Sequence, residues 1–237
     1  MAFSLKPVGV IRSCFKDKFG VPRQPGLVPS ARAVLEFLPP FDREEACLGI
    51  DDNSHLWIQF VFHQCIRDEP NLTVRPPRLG GNRKLGVFAS RATFRPNPLG
   101  LSVVELERVE REKGKVRLHL KGIDLVDGTP VLDVKPYLPY VDSVPQAQAG
   151  FAQQAPGIEF SVEFSPSVLN VLHQEELRWP GLAQLIEEVV RLDPRPAYFK
   201  DSGRNKPFAI CLHDLKIRWR VLAGVAIIDE ILPSSML

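Results

Sequence analysis

The sequence contains the run Leu56-Trp-Ile-Gln-Phe-Val-Phe62, which is short, strongly apolar and rich in residues that favour β-structure. A run of this length and composition is typical of a buried strand. Apolar and polar side chains alternate from Val116 to Leu120, a pattern that predicts a strand with one buried face. The polar stretch before it contains Gly114 and predicts a turn back to another strand over Val103–Val109. Many short strands joined by Gly- and Pro-rich turns indicate a barrel or a sandwich.

The last third of the chain has a different pattern. Ser165-Pro166 is a good helix start, because serine caps the first turn and proline fits the first helical position. A second helix is predicted after Pro180, where apolar residues recur at helical spacing until Asp193-Pro194 ends the pattern. Three strand-like runs come next: Phe208–Leu212, Ile217–Leu222 and Val225–Leu232.

Residues 139–158 separate these two parts. They combine several prolines and glycines with a Gln- and Ala-rich stretch of little periodicity. The sequence therefore predicts a mainly β architecture. We place a β domain at residues 1–142, a linker at 143–160 and a small α+β domain at 161–237.

The composition is that of an ordinary globular protein. The chain has 237 residues, of which 44% are hydrophobic and 24% charged, and its formal net charge is +2. No apolar run approaches the ~20 residues that span a bilayer, and the N-terminus lacks a signal-peptide pattern. The four cysteines lack the spacing of a zinc site. We therefore expect a cytoplasmic protein with no membrane segment and no bound metal.

Charge is segregated along the chain although the net charge is small. No Asp or Glu occurs from Pro70 to Val104, whereas this stretch contains Arg75, Arg78, Arg83, Lys84, Arg91 and Arg95. Arginines on Gly- and Pro-shaped loops suit bidentate recognition of phosphate. The pattern fits a nucleic-acid or nucleotide contact surface. It fits equally well a solvated face whose arginines pair with acids elsewhere in the fold.

Two short features are candidates for ligand contacts. Asp127-Gly128 predicts a tight turn, which is either a plain hairpin or a place where a ligand approaches the backbone closely. His63-Gln64 follows the apolar run directly, at the end of a strand. A single histidine in such a place is more often structural than catalytic.

Arg195 and Tyr198 lie in a Pro-rich stretch after the second predicted helix. They are either part of a stiff linker or contacts for an RNA phosphate and base. Trp219, in the strands that follow, is expected to belong to the core. The chain has no Gly-x-Gly-x-x-Gly fingerprint, no Walker loop and no zinc-deaminase signature. A Rossmann-type cofactor site is therefore not predicted.

Several long motifs, in order along the chain, resemble those of the TrmO family. They lie at residues 9–13, 21–28, 55–58, 61–64, 73–82, 86–91, 93–100, 124–131, 133–139, 193–198 and 213–221. The match covers nearly the whole chain, and motifs of this length in this order are highly specific.

The resemblance implies an S-adenosylmethionine-dependent methyltransferase built on a single antiparallel β-barrel instead of a Rossmann sheet. It implies a tRNA substrate, methylated on N6 of threonylcarbamoyladenosine next to the anticodon, at position 37. It also implies a homodimer with the cofactor near the subunit contact. The alternative from the residues alone is a non-catalytic RNA- or nucleotide-binding barrel that uses the same basic loops.

The family motifs imply the cofactor contacts, whereas the tRNA contacts are expected from the acid-free basic stretch and the Pro-rich stretch. The cofactor contacts implied are Pro22, Arg23, Gln24, His63, Gln64, Arg91, Leu101, Leu125, Val126, Asp127 and Gly128. Contacts to the anticodon loop of tRNA are expected at Arg75, Arg78, Arg83, Lys84, Arg95, Arg195 and Tyr198. Arg91 and Arg95 are expected to hold the threonyl carboxylate of the substrate or a phosphate. The sequence identifies no general base.

Overall fold

The computed structural model describes residues 4–69, 71–195 and 206–234. The strands of the first part are β1 (Gly9–Ser13), β2 (Arg32–Phe37), β3 (His55–Val61), β4 (Thr73–Val74), β5 (Leu85–Gly86), β6 (Leu99–Glu112), β7 (Lys115–Lys121) and β8 (Pro130–Pro136). Six of them close into an antiparallel barrel in the order β1-β2-β7-β6-β3-β8, and β4 pairs with β5 in a small separate sheet. The predicted mainly β fold with a single antiparallel barrel is confirmed.

Alternate side chains of the strands fill the barrel. In β3, Leu56, Ile58 and Phe60 point inward and are at most 2% exposed. Trp57 points outward, where its indole Nε1 donates a hydrogen bond to Asp142 at 2.7 Å. The strand therefore has one buried face and one outer face. It is not buried on both faces, although its strongly apolar run predicted a buried strand.

The two turns predicted in this part differ in kind. The turn at Lys113-Gly114 is a true hairpin between β6 and β7, with φ of 52° and 75° at its two residues. The turn at Asp127-Gly128 is not a hairpin, because β7 pairs with β2 and β6 whereas β8 pairs with β1 and β3. The plain-hairpin interpretation is therefore wrong, and the segment between β7 and β8 crosses an end of the barrel.

The second part combines helices with an open sheet. Its elements are α1 (Pro139–Asp142), β9 (Ser161–Phe164), α2 (Pro166–Arg178), α3 (Leu182–Val190), β10 (Phe208–Leu212), β11 (Leu215–Leu222) and β12 (Val225–Pro233). The sheet order is β10-β11-β12-β9, with β9 parallel to β12. Both predicted helices and all three predicted strands are confirmed, and Trp219 is fully buried.

The C-terminal sheet packs against the barrel through the loop after β1. Phe15 in this loop forms a bridge with Leu212, and the amide of His213 donates to the carbonyl of Cys14 at 2.7 Å. Further along the same loop, the hydroxyl of Ser30 donates to the buried carboxylate of Glu188 at 2.7 Å. Burial alone would raise the pKa of Glu188, but hydrogen bonds from Ser30 hold it below its ordinary value. The domain boundaries at residues 142 and 161 stay predictions.

One close approach inside the barrel gives a test of its packing. We expect Gly100→Ala to lower the free energy of unfolding by about 1–3 kcal/mol. The reason is that a Cβ atom at Gly100 would lie 2.2 Å from the Phe60 ring. Gly86→Ala is the matched control, because nothing lies within 4 Å of its Cβ position. Urea denaturation of both variants measures the difference, and equal losses would contradict this account of the packing.

Candidate functional site

The loops at one end of the barrel carry most of the residues implicated by sequence. Neighbouring strands run in opposite directions, so β1, β3 and β7 end at the rim where β2, β6 and β8 begin. We call this the upper rim, and its strand termini are Ser13, Val61, Lys121, Arg32, Leu99 and Pro130. Loops that are distant in sequence therefore meet there.

All of the predicted cofactor contacts lie at the upper rim. Pro22, Arg23 and Gln24 lie in the loop between β1 and β2, and His63 and Gln64 lie in a short 3-10 turn directly after β3. The remaining ones are Arg91 and Leu101, before and within the start of β6, and Leu125, Val126, Asp127 and Gly128, between β7 and β8. Their meeting follows from the barrel topology, since four separate connections supply them.

The segment between β7 and β8 is tied firmly to β1. The Asp127 carboxylate accepts a hydrogen bond from the amide of Ser13 at 2.8 Å and pairs with Lys16 at 3.0 Å. The amide of Gly128 donates to the carbonyl of Ile11 at 2.8 Å. Gly128 has a φ of 76° and open space beside its Cα. Both carboxylate oxygens of Asp127 are thus engaged in holding the turn, while the backbone at Gly128 stays accessible.

Gln24 carries an unusual polar atom at this rim. Its side-chain Oε1 is buried and has no hydrogen-bond partner among the residues that the structure describes, while its Nε2 donates to the carbonyl of Arg23. Buried polar atoms in folded proteins nearly always have a partner. An orphaned acceptor in a predicted binding loop therefore fits a site that a donor from a ligand completes.

A second polar cluster lies between β6 and the end of β7. The hydroxyl of Ser102 donates to Oδ1 of Asp124 at 2.6 Å, and Ser102 itself is buried. Nη2 of Arg91 donates to the carbonyl of Leu101, next to Ser102, at 3.2 Å. Leu101 is 44% exposed and offers apolar surface beside these groups. No sequence pattern connects Ser102 with Asp124, because a strand and a loop bring them together only in the folded chain.

The acid-free stretch forms a projecting loop around β4 and β5. Arg75, Arg78, Arg83 and Lys84 are exposed on it. In the described part of the chain, none of the six basic residues from Arg75 to Arg95 forms an ion pair with a carboxylate. The interpretation as arginines paired with distant acids is therefore wrong for these residues, and the loop is an uncompensated cationic surface.

Two arginines of this stretch also hold the loop in shape. Nη1 of Arg95 donates to the carbonyls of Ser90 and Ala92 at 2.9 and 3.2 Å. Nη2 of Arg78 donates to the carbonyl of Gln154 at 2.6 Å, which joins the loop to the connection between the two sheets. Arg95 therefore braces the segment that carries Arg91.

Apolar side chains are exposed beside the same basic loop. Leu72 is 70% exposed and Phe88 is 80% exposed, and Ile66 is 64% exposed after the turn at His63. Exposed apolar groups clustered at a ligand site commonly mark a surface that another molecule covers. All three residues lie in the connection between β3 and β6, which begins and ends at the upper rim.

Arg195 has a structural role. Its guanidinium pairs with the buried carboxylate of Asp193 at 2.7 and 3.0 Å and lies between the rings of Phe160 and Phe208, at 4.8 and 5.6 Å from their centroids. The pair engages Nε and Nη2 of the guanidinium, and the Arg195 side chain is 11% exposed. The expected phosphate contact of Arg195 stays a prediction, and Tyr198 lies outside the described residues.

Sequence reasoning overlooked a basic group next to Gln64. Nζ of Lys18 donates to the carbonyl of Gln64 at 3.1 Å, which connects the loop after β1 to the turn after β3. The guanidinium of Arg67 stacks over the ring of Phe94 at 4.0 Å from its centroid. Scattered single residues of this kind have no signature in sequence.

The opposite end of the barrel contains a cavity of about 310 Å³ lined mostly by apolar residues, among them Phe37, Leu48 and Ile50. It shares none of the predicted contacts. Among the residues described, no helix is long and apolar enough to cross a membrane. Within the same residues no group of His, Cys, Asp and Glu side chains has the arrangement of a metal site.

Comparison with known proteins gives consistent matches over the whole chain. The family model described as the tRNA-methyltransferase O N-terminal domain matches residues 10–143, and the TrmO C-terminal domain model matches residues 158–234. A crystal structure of TrmO from Pseudomonas aeruginosa superposes with a TM-score of 0.81 at 42% sequence identity, over 98% of each chain.

Curated relatives agree with these matches. The chain is 52% identical to a tRNA (adenine(37)-N6)-methyltransferase of Escherichia coli over 220 residues, which is 93% of this chain and 94% of that protein. It is 53% identical to a putative S-adenosylmethionine-dependent methyltransferase RcsF of Pseudomonas aeruginosa, over 92% of this chain and 93% of that protein. With both family domains present in order and relatives matched over nearly their full length, this chain belongs to the tRNA-methyltransferase O family.

Proposed function

We propose that this protein transfers a methyl group from S-adenosylmethionine to N6 of the adenine at position 37 of tRNA. The observation that carries the proposal is the meeting of four loops at the upper rim, beside a basic surface without compensating acids. Relatives named for this reaction match the chain over nearly its full length. One rim thus combines the proposed cofactor contacts with a basic surface for a polyanion.

The groups at the upper rim fit S-adenosylmethionine. The orphaned Oε1 of Gln24 suits a ligand donor such as an amino or hydroxyl group. Leu101 offers exposed apolar surface for the flat adenine, the buried Leu125 anchors the segment before Gly128 in the core, and the open backbone at Gly128 allows close approach. We propose that these residues, with Pro22, Arg23, His63, Gln64, Arg91, Val126 and Asp127, hold the cofactor.

We propose threonylcarbamoyladenosine as the modified form of the target base. Its threonyl carboxylate needs a cationic partner at the rim. Arg91 suits this task because it is exposed and, among the described residues, donates one hydrogen bond, to the carbonyl of Leu101. Arg95 has instead its Nη1 bound to two loop carbonyls. We therefore assign the carboxylate contact to Arg91 and a bracing role to Arg95.

The residues of the chain contribute to the reaction mainly by placement. When bound, S-adenosylmethionine supplies a methyl group already activated by the sulfonium. Methyl transfer requires the acceptor nitrogen in line with that methyl group, so the rim accelerates it by holding both molecules in position and excluding water. Arg91 orients the base through its carboxylate, and the basic loop binds the phosphates of the anticodon loop.

We also propose a homodimer in the cytoplasm. The exposed patch of Ile66, Leu72 and Phe88 adjoins the upper rim, and a second copy of the chain would remove this apolar surface from water. A subunit contact at that place would lie beside the cofactor residues.

The reaction and the substrate are tested together by nucleoside mass spectrometry. We expect purified protein and S-adenosylmethionine to add one methyl group to threonylcarbamoyladenosine in tRNA. The same tRNA without the threonylcarbamoyl group should gain none. Methylation of both tRNAs would show that adenine N6 is the target without need of the threonylcarbamoyl group. Methylation of neither, with tRNA still bound, would favour a non-catalytic RNA-binding barrel.

The role of Arg91 is tested by its replacement. We expect Arg91→Ala to raise the KM for tRNA by about ten- to a hundredfold, because a hydrogen bond to a charged group contributes about 1.5–3 kcal/mol. Steady-state kinetics on threonylcarbamoyl-tRNA measures the effect. The control is Arg108→Ala, which removes an exposed arginine paired with Glu110 on the barrel exterior. A KM equal to that of the control variant would exclude Arg91 from the site.

The basic loop is tested by the salt dependence of tRNA binding. We expect the triple change Arg75→Ala, Arg83→Ala and Lys84→Ala to weaken binding and to reduce the slope of log K against log salt. Each lost phosphate contact lowers that slope by roughly 0.7 for single-stranded RNA, so the total change is about 2. Fluorescence anisotropy at several salt concentrations gives both slopes.

A variant with the same change in charge provides the control. Lys113→Ala, Lys115→Ala and Lys135→Ala remove three exposed lysines at the opposite end of the barrel. This variant should keep the slope of the original protein. Equal reductions in the two variants would mean that tRNA responds to total charge and not to the basic loop.

A further inference from the structure

Asp124 is a carboxylate at the upper rim that the proposed binding roles leave unassigned. It lies between the end of β7 and the turn at Asp127-Gly128, beside Leu125. Oδ1 accepts the hydrogen bond from the buried hydroxyl of Ser102. The carboxylate has one further contact, with its own backbone amide, and within the described residues Oδ2 receives no hydrogen bond from another residue. One oxygen is thus fixed by the barrel and the other is left for a ligand.

The neighbours of Asp124 are residues proposed to hold the two reactants. Ser102 follows Leu101, whose carbonyl accepts the hydrogen bond from Arg91. Leu125 and Gly128 follow Asp124 in the chain. The other carboxylate of this segment, Asp127, has its oxygens bound by the Ser13 amide and the Lys16 ammonium. Of the two aspartates in this segment, Asp124 is therefore the one with a carboxylate oxygen available to a ligand.

We propose that Asp124 is the general base of the methyl transfer and takes the proton from the acceptor nitrogen through Oδ2. The inference rests on the proposed function, since it requires an N6 that carries a hydrogen. Ser102 is the positioning residue, because its hydroxyl fixes the orientation of the carboxylate.

The methyl transfer forms an N–C bond and an O–H bond and breaks a C–S bond and an N–H bond. The lone pair of N6 forms the new N–C bond with the methyl group while the C–S bond breaks and its electron pair stays on sulfur. The N6–H proton moves to Oδ2 of Asp124, so that the product nitrogen is neutral. The carboxylic acid then releases this proton to water. N6 of a carbamoylated adenine is conjugated with a carbonyl and is a poor nucleophile, so removal of its proton during attack helps the reaction.

The protonation properties of Asp124 suit this task. Burial raises its pKa to about 6, against the opposing effects of the Ser102 hydrogen bond and the Arg91 charge. Arg91 is the charged group that acts on it. A base with a pKa near the working pH is ionised there and still binds a proton strongly enough to assist the transfer.

Single-turnover methyl transfer at saturating cofactor and tRNA, measured from pH 5 to pH 8, tests the proposal. The original protein should gain activity as Asp124 ionises, with a midpoint near the pKa of about 6. Asp124→Asn should lower the rate by about 10²–10⁴-fold and lose this acidic limb. Calorimetric binding of S-adenosylmethionine should stay within about threefold of the original, a change of less than ~1 kcal/mol. Asp52→Asn, an exposed aspartate at the opposite end of the barrel, is the control and should leave rate and profile unchanged.

Ser102→Ala gives a second and independent readout. Loss of its hydroxyl removes a hydrogen bond that lowers the pKa of Asp124, so the acidic limb should move to higher pH. Carbon-13 NMR titration of the Asp124 carboxyl, without substrate, should show the same upward shift.

The outcomes separate this inference from the proposed function. An original protein that methylates no tRNA overturns the function. Methylation with an Asp124→Asn rate near the original, or with a uniform loss of rate that keeps the acidic limb, overturns the role of Asp124 alone. An unshifted limb in Ser102→Ala does the same.

Discussion

The constraint on which the rest of this structure depends is closure of the barrel with strands of alternating direction. Once β1 pairs with β8, no strand edge stays open, and strand ends must gather at two rims. One rim must then hold the loops that follow β1 and β3 and the loops that precede β6 and β8. A ligand site built from such connections needs no glycine fingerprint, because backbone and side chains converge from several directions instead of from one strand–helix turn.

The upper rim keeps its shape through polar ties. Asp127 holds the segment before β8 on β1, Lys18 joins the loop after β1 to Gln64, and Arg95 braces the loop that carries Arg91. Each tie engages a charged side chain that sequence reasoning had counted as available for ligands or had not counted at all. Rigid support of this kind is what positions reacting groups well in an enzyme site.

The sequence predicts helices and core positions better than it predicts which residues contact each other in the folded chain. The helix start at Ser165-Pro166 and the core position of Trp219 depend on propensity and periodicity, which act over a few residues. The hydrogen bond between Ser102 and Asp124, and the burial of Arg195 between two rings, depend on pairings that only the folded chain creates. The motifs identified the rim residues by resemblance. Only the structure shows which polar atoms of these residues are bound to neighbours and which are available to a ligand.

The loop between β1 and β2 joins the two halves of the molecule. Cys14 and Phe15 at its start are bound to the C-terminal sheet, Ser30 at its end is bound to α3, and Gln24 lies between them at the rim. A loop attached at both ends in this way must change its shape if the C-terminal sheet shifts relative to the barrel. A displacement of the C-terminal sheet would therefore move Gln24, so the position of the second part and the shape of the upper rim are mechanically coupled.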